Sequence, residues 1–287
     1  MVELEQAFFS VRGVNSNMAQ QVVNIGTILT ESFIMDYMQF GSGGKTLVIL
    51  PGLSVQSVMG AADSVGSAYE MLTGEYTIYL FNRRRDPPLG YSISQMAADT
   101  AAAVKALGLE RVSVFGASQG GMIAMVLAIA YPKLVDKLIL GSTSCCVSDE
   151  DFMPIAEWIS LAQKGDAEAL YLSFGRSVYP KSVFEQSRSD LIEAAKGVTA
   201  DELKHFIIFA ESLRRFDITK KLKKLNCPVL IIGDNDDRVL GGNASSKLAE
   251  YVVNSPKCEL FMYNGYGHAA YDTAPDYKER MLSFLES

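Results

Sequence analysis

The chain has 287 residues, 48% apolar and 21% charged, which allows the core of one large domain and excludes a disordered composition. A net charge of −7 argues against a broad basic face for nucleic acid or for acidic membrane surfaces. With only two histidines in the chain, a histidine-rich metal site is not expected, and we predict no metal and no cofactor.

The amino-terminal segment and the cysteines bear on the cellular compartment. The chain does not begin with a basic segment followed by an apolar core, and no apolar stretch has the length of a membrane span. The four cysteines (Cys145, Cys146, Cys227 and Cys258) show no C-x-x-C spacing, and the adjacent pair is poorly suited to a disulfide. We therefore expect a cytoplasmic protein with reduced thiols and without membrane insertion.

Strand-like and helix-like patterns alternate along most of the chain, after a polar amino-terminal arm at residues 1–22. The predicted strands cover residues 22–29, 33–40, 46–50, 76–81, 112–115, 134–140, 227–232 and 258–263. The predicted helices cover residues 56–72, 92–107, 122–131, 242–253 and 275–286. This alternation favours an α/β fold with a mostly parallel sheet and helices on both of its faces.

The alternation stops between residues 148 and 215, where the pattern is helical and rich in large apolar side chains. A helical block between two strands of one sheet is expected to cover the carboxyl edge of that sheet. We therefore predict a helical cap at 148–215, inserted between two parts of an α/β core at 23–147 and 216–287.

A possible nucleophile follows the predicted strand at 112–115. The residues Gly116-Ala117-Ser118-Gln119-Gly120 read G-x-S-x-G between that strand and the next predicted helix. A serine on a sharp turn between strand and helix exposes its hydroxyl oxygen, and the turn requires small neighbours. The motif, in this context, predicts that Ser118 is a catalytic nucleophile.

Ser118 needs a base, and His268 is the stronger of two candidates. It lies in the glycine-rich segment 264–268, directly after the predicted strand at 258–263, where an α/β protein presents catalytic groups. His205 lies in a helical, apolar setting and is expected to pack on the core or line the pocket.

The base needs a carboxylate to orient it, and three aspartates follow the predicted strand at 227–232. Asp236 is our choice. Asp234 lies close to the end of the strand, and Asp237 lies next to Arg238, its expected salt-bridge partner. Both stay open as alternatives, because loop aspartates commonly form turns or cap helices.

The order Ser, Asp, His, each after a separate strand, resembles that of the α/β-hydrolase superfamily. The resemblance runs from about residue 23 to residue 286 and is carried by residues 47–52, 116–121, 228–233 with Asp236, and 265–268. It implies the α/β-hydrolase fold with a helical cap. It also implies an oxyanion hole formed by the backbone N–H groups of Leu53 and Gln119.

Two segments depart from the pattern of many relatives. Pro51-Gly52 stands where many carry His-Gly, which leaves the three catalytic residues untouched. Residues 82–92 replace an Asp-x-x-Gly-x-Gly-x-Ser loop that shapes the entrance of the site. The three arginines at 83–85 are expected either to form surface ion pairs or to attract an anionic substrate.

These residues predict a serine hydrolase that cleaves an ester, amide or related acyl bond of a small, largely apolar substrate. The same site would also serve carbon–carbon bond hydrolysis, perhydrolase or proline iminopeptidase chemistry, and receptors of this fold can retain all three residues. An aspartate nucleophile is excluded because position 118 is serine. The expected partner is a small-molecule substrate, without nucleic acid, and a homodimer stays open.

Overall fold

The computed structural model describes residues 22–287, and one sheet of eight strands forms its centre. The strands are β1 (Asn24–Leu29), β2 (Ile34–Phe40), β3 (Lys45–Leu50), β4 (Tyr76–Arg84), β5 (Val112–Ala117), β6 (Val135–Gly141), β7 (Val229–Asp234) and β8 (Cys258–Tyr263). Except for Val22, the expected arm at residues 1–22 lies outside the described residues.

The strands lie in the order β1-β2-β4-β3-β5-β6-β7-β8. The pairs β1–β2 and β2–β4 are antiparallel, and every other pair is parallel. The predicted mostly parallel sheet is therefore confirmed. Because β5, β7 and β8 run in the same direction, the loops that follow them meet at one edge of the sheet.

Ten helices surround this sheet in the described part of the chain. They are α1 (Ala62–Ala68), α2 (Ile93–Ala106), α3 (Gln119–Ala130), α4 (Met153–Gln163), α5 (Ala167–Val178), α6 (Lys181–Ala195), α7 (Ala200–Glu211), α8 (Ala244–Tyr251), α9 (Ala270–Thr273) and α10 (Tyr277–Glu286). Two of them begin with a capping box, Ser92 with Gln95 before α2 and Thr199 with Glu202 before α7.

The central strands are buried on both faces, as their continuous apolar runs predict. In β7, Val229 and Ile231 pack into the core on one side of the sheet, and Leu230 and Ile232 pack into the core on the other. This alternation follows from the two-residue period of a strand. It holds the sheet rigidly between two helical layers.

Helices α4 to α7 lie between β6 and β7 in the chain, within the segment 148–215, and we call them the helical insertion. Its helices pack on one another, with the rings of Trp158 and Phe174 4.6 Å apart. Polar contacts join it to the rest of the molecule. The Gln119 amide donates to the carbonyl oxygen of Phe209 at 2.7 Å, and the Tyr171 hydroxyl donates to Gln56 at 2.6 Å.

The amino-terminal end of α3 packs directly on the end of β3. A methyl group added at Gly120 would collide with the carbonyl oxygen of Leu50 and lie 2.5 Å from that of Pro51. Neither oxygen belongs to a flexible side chain, so the backbone itself would have to move. We expect Gly120→Ala to lower the free energy of unfolding by about 3 kcal/mol, measured by urea denaturation.

Gly74→Ala is the matched control, because a methyl group added there meets no atom within 4 Å. It should leave the stability within about 0.5 kcal/mol of the parent. Equal stability of the two variants would contradict this close packing of α3 on β3.

Candidate active site

Ser118 lies on the turn between β5 and α3, with the left-handed backbone angle φ +52°. This region is unfavourable for residues other than glycine, so the surrounding structure must hold the serine there. The Ser118 N–H donates to the carbonyl oxygen of Gly141 at 2.8 Å, and the Thr143 hydroxyl donates to the Ser118 carbonyl at 2.7 Å. Both partners come from β6 and the residues just after it.

The small residues around Ser118 have the steric role that the motif predicts. A methyl group on Gly116 would collide with the backbone of Gly120, and one on Gly121 would lie 2.7 Å from the side chain of Thr143. Gly52 lies against the serine itself, since a methyl group there would be 3.3 Å from the Ser118 Cβ. The hydroxyl oxygen is therefore presented by a backbone that closely surrounds it.

The His268 imidazole reaches Ser118 from the loop after β8. Its Nε2 lies 2.8 Å from the Ser118 Oγ, and the residue is 3% exposed. Gly265 and Gly267 turn this loop at φ +85° and +69°. The N–H of Ala269 donates to the carbonyl oxygen of Val178 at 3.1 Å, which ties the loop to the end of α5.

Asp237, not Asp236, contacts the imidazole. Its Oδ2 lies 2.8 Å from the His268 Nδ1, and its Oδ1 accepts from the N–H groups of Val239 and Leu240 at 2.8 and 3.1 Å. A carboxylate only accepts hydrogen bonds, so the Nδ1 carries the proton and the Nε2 is free to accept from the Ser118 hydroxyl.

The expectation for Asp236 is therefore wrong. Its carboxylate accepts from the N–H of Gly265 at 2.8 Å and binds the backbone of the histidine loop. Asp234 does the same through the N–H of Tyr266, at 2.9 Å, while its other oxygen accepts from the N–H of Asp236. This local turn points Asp236 away from the ring and Asp237 towards it.

Burial opposes ionisation of Asp237, but its contacts favour it. The interaction with His268 and the two backbone N–H groups outweigh the desolvation and hold the pKa of this carboxyl below its ordinary value. Arg238 forms no ion pair with Asp237 among the described residues, contrary to our expectation. Asp237 therefore stays ionised beside the imidazole at neutral pH.

The residues expected to form an oxyanion hole lie beside Ser118. Gln119 is the first residue of α3, where helical N–H groups have no partner within the helix. Leu53 follows Gly52 and lines the small pocket that contains Ser118 and His268. The Gln119 side chain points elsewhere, donating to Phe209 and accepting from Arg83 at 3.2 Å.

The remaining candidates lie outside this cluster. His205 lies in α7, with its ring 6.4 Å from that of Phe209. Arg84 and Arg85 form the expected ion pairs, with Asp99 at 3.4 Å and Asp36 at 2.8 Å. Arg83 is half-buried instead and donates to the carbonyl oxygen of Pro51 at 2.7 Å. Burial lowers the pKa of Arg83 to about 10, so its side chain still carries a positive charge at neutral pH.

Two cavities adjoin the Ser118 turn. A small one, of about 20 Å³, is lined by Ser118 and His268 together with side chains of the helical insertion. A large one, of about 650 Å³, extends from Pro51-Gly52-Leu53 between the insertion and the sheet. The two cavities adjoin each other, because five residues line both of them: Gly52, Leu53, Phe174, Val178 and Tyr271.

Residues 22–287 contain no cluster of three or more histidine, cysteine or acidic side chains that could hold a metal ion. Within that same range, every helix is too short or too polar to cross a bilayer.

Comparison with known proteins defines the class. The family described as alpha/beta hydrolase fold matches residues 46–275, which is most of the chain. The chain therefore belongs to the alpha/beta hydrolase family, as its motifs indicate.

Particular relatives show what this family membership includes. A protein of Agrobacterium fabrum named carbamate hydrolase RutD is 28% identical over 262 residues, covering 86% of this chain and 98% of its own. A 2-hydroxy-6-oxononadienedioate/2-hydroxy-6-oxononatrienedioate hydrolase of Pseudomonas putida is 28% identical over 271 residues, covering 88% and 91%.

Solved structures share the fold at lower identity. The alpha/beta hydrolase MGS-M2, from a deep-sea metagenome library, superposes with a TM-score of 0.81 at 18% identity, covering 91% of this chain and 98% of its own. The enol-lactonase of Burkholderia xenovorans superposes with a TM-score of 0.78 at 15% identity, covering 91% and 100%. These similarities show the fold.

Asp272, in the wall of the large cavity, should make stability depend on pH. Burial raises the pKa of its carboxyl to about 7, and the nearby Lys278 only partly opposes this. The folded protein then binds this proton more tightly than the unfolded chain, whose aspartate has a pKa of about 4. Stability should fall as the pH rises from about 4 to about 7, by at most about 1.4 kcal/mol per unit.

The comparison of parent and Asp272→Asn isolates this effect, with unfolding by urea measured at about pH 4.5 and about pH 7.5. The groups that surround Asp272 stay the same in both proteins: Tyr69, Tyr179, Tyr271, Tyr277 and Lys278. The free energy of unfolding of the variant, relative to that of the parent, should be higher at about pH 7.5 than at about pH 4.5. A difference independent of pH would refute the raised pKa.

Proposed function

We propose that this alpha/beta hydrolase uses Ser118 as nucleophile, His268 as general base and Asp237 as the carboxylate that orients the base. The observation that carries the proposal is the continuous contact from the serine oxygen through the imidazole to the carboxylate, with 2.8 Å at each step. The bond cleaved is an ester, amide or related acyl bond.

The reaction has two stages. The Ser118 Oγ attacks the acyl carbon while its proton passes to the His268 Nε2, and the N–H groups of Leu53 and Gln119 stabilise the negative oxygen that forms. The leaving group departs with the proton from His268. Water then gives a proton to the same nitrogen and attacks the acyl-serine. His268 returns this proton to the Ser118 Oγ as the bond between that oxygen and the acyl carbon breaks, which releases the acid and restores Ser118.

The helical insertion supports the assignment of a small, largely apolar substrate. We infer that it serves as the predicted cap, because its side chains form part of the walls of both cavities. Trp158 and Phe174 bring apolar surface close to Ser118, and binding pockets for small molecules are lined mainly by such groups.

The relatives are compatible with acyl chemistry. A carbamate, as in the name of the Agrobacterium fabrum relative, carries an acyl carbon that the same nucleophile would attack. This similarity supports hydrolysis of an acyl bond as the reaction class of this chain.

Hydrolysis of a carbon–carbon bond is the second candidate, favoured by the relative from Pseudomonas putida. The substrate in its name is a dicarboxylate that also carries a ketone. Hydrolysis of a carbon–carbon bond in such a substrate would release two products. Parallel assays with nitrophenyl esters and with a vinylogous diketone distinguish the two reactions. Turnover of the diketone alone would replace acyl-bond hydrolysis by this candidate.

All four cysteines are free thiols, two buried and two exposed. Because free thiols are typical of a reducing compartment, we propose that the protein is located in the cytoplasm.

Matched variants test the roles proposed for Ser118 and Asp237. Ser118→Ala should lower kcat for a short-chain nitrophenyl ester on the order of 10⁶-fold and abolish labelling by a fluorophosphonate probe. Asp237→Asn should lower kcat on the order of 10⁴-fold, because the imidazole loses the acceptor that sets its tautomer.

Asp236→Asn is the control for the neighbouring position, since an amide oxygen there still accepts from the N–H of Gly265. It should retain activity within about tenfold of the parent. Larger loss in Asp236→Asn than in Asp237→Asn would overturn the assignment of the acid. Probe labelling that persists in Ser118→Ala would overturn the nucleophile.

A further inference from the structure

The large cavity is mostly apolar but contains a few charged groups. Its deeper wall is formed by side chains from the sheet and from the segments beside it, including Ile49, Val58, Leu80 and Phe115. The charged residues that line it, within the described chain, are Glu193, Lys196, Glu202 and Asp272. The wall therefore carries three carboxyl groups and one ammonium group.

Three of these four groups are already engaged by the fold. The Lys196 ammonium donates to the Glu193 carboxylate. The Glu202 carboxylate accepts from the N–H and the hydroxyl of Thr199, at 2.8 and 2.9 Å, in the capping box of α7. Glu193 and Glu202 therefore already have partners within the fold.

Asp272 differs from them. Within residues 22–287 its carboxyl group accepts no hydrogen bond and has no ion pair within 4.0 Å. The nearest cation, Lys278, is directed elsewhere. Its ammonium donates to the carbonyl oxygen of Tyr271 and lies 5.0 Å from the centre of the Tyr69 ring. Asp272 is half-buried and lines the cavity.

A carboxyl in a mostly apolar wall is costly when it is ionised without a partner, and burial raises the pKa of Asp272 to about 7. A ligand that brings a hydrogen-bond donor to this carboxyl would offset that cost. A ligand that brings a carboxylate would add repulsion from a second negative charge. The wall thus favours uncharged or cationic donors over anions.

We propose that Asp272 recognises an amine or hydroxyl group on the substrate. In this arrangement the apolar part of the substrate fills the large cavity, the donor group binds Asp272, and the reacting bond reaches Ser118 past Tyr271. The proposal rests on the proposed function, since it assigns the ligand as the substrate. It also separates this chain from its Pseudomonas putida relative, whose named substrate carries two carboxylates.

The position of Tyr271 supports the connection between the cavities. It lines both of them, and a methyl group added at Gly52 would lie 3.8 Å from its hydroxyl and 3.3 Å from the Ser118 Cβ. Tyr271 and Asp272 are adjacent in α9, four residues or fewer after His268. The donor site therefore lies in the large cavity, and the adjacent Tyr271 also lines the small cavity that contains Ser118.

Binding to the full-length Ser118→Ala protein tests the proposal without any turnover. The probes are hexylamine, hexanol, methyl pentyl ether and hexanoate, which have similar length and differ in the end group. Calorimetry should show that the amine and the alcohol bind about tenfold more tightly than the ether, and that hexanoate binds most weakly. In Ser118→Ala carrying Asp272→Leu, the affinities of hexylamine, hexanol and methyl pentyl ether should converge.

Glu193→Gln in the same background is the matched control, because it removes a negative charge from the wall without touching Asp272. It should preserve the preference for donors. Asp272→Asn distinguishes the two donors, because an uncharged amide should still bind hexanol but should bind hexylamine more weakly than the carboxylate does. A donor preference that survives Asp272→Leu, or that Glu193→Gln removes equally, would overturn the proposal.

Kinetics then distinguish failure of this inference from failure of the proposed function. Nitrophenyl esters of ω-amino, ω-hydroxy and unsubstituted hexanoic acid are compared by kcat/KM in the parent and in Asp272→Leu. Equal ratios in both proteins, with activity that Ser118→Ala abolishes, would refute the role of Asp272 alone. Donor binding that depends on Asp272, with ester hydrolysis unaffected by Ser118→Ala, would refute the serine mechanism alone.

Discussion

Between β5 and α3 the backbone turns at Ser118 with φ +52°, and the positions around it leave no room for larger side chains. Gly120 packs on the carbonyl oxygens of β3, and Gly116 packs on Gly120. This close packing exposes the serine oxygen at the edge of the sheet. The contact with His268 depends on that exposure, because an imidazole from the loop after β8 can reach only an oxygen that projects beyond the strand ends.

Three neighbouring aspartates together fix the position of the imidazole. Asp234 and Asp236 accept from backbone N–H groups of the loop that carries His268, and Asp237 accepts from the ring itself. Little water reaches His268, so these contacts act in a medium of low polarity, where each is stronger than at the surface. The ring is thereby fixed both by its loop and by its own nitrogen.

The proposed reaction and the proposed recognition use different parts of this molecule. The proposed catalytic residues lie at the strand ends, where parallel pairing brings the loops together. The proposed recognition site is the cavity between the sheet and the helical insertion, whose wall includes Asp272. Relatives that share this fold are named for different substrates, because the fold alone does not determine the substrate.

Much of this could be predicted from the sequence, because strand period, helix period and the steric demands of small residues act over a few neighbours. They predict the parallel sheet, the turn at Ser118 and the loop of His268. The choice between Asp236 and Asp237 could not be made that way. It depends on a local turn in which Asp234 accepts from the N–H of Asp236 and directs the next side chain inward.

The position of Asp272 in a cavity wall could not be predicted from the sequence either, because that wall is formed by α9, the helical insertion and the sheet together. The sequence by itself determined the order of strands and helices and the presence of a serine, a histidine and candidate carboxylates at strand ends. Only the tertiary structure decided which carboxylate meets the imidazole and which one faces the cavity. The physical reason is that a hydrogen bond requires two groups within about 3 Å, and segments far apart in the chain reach that distance only through packing.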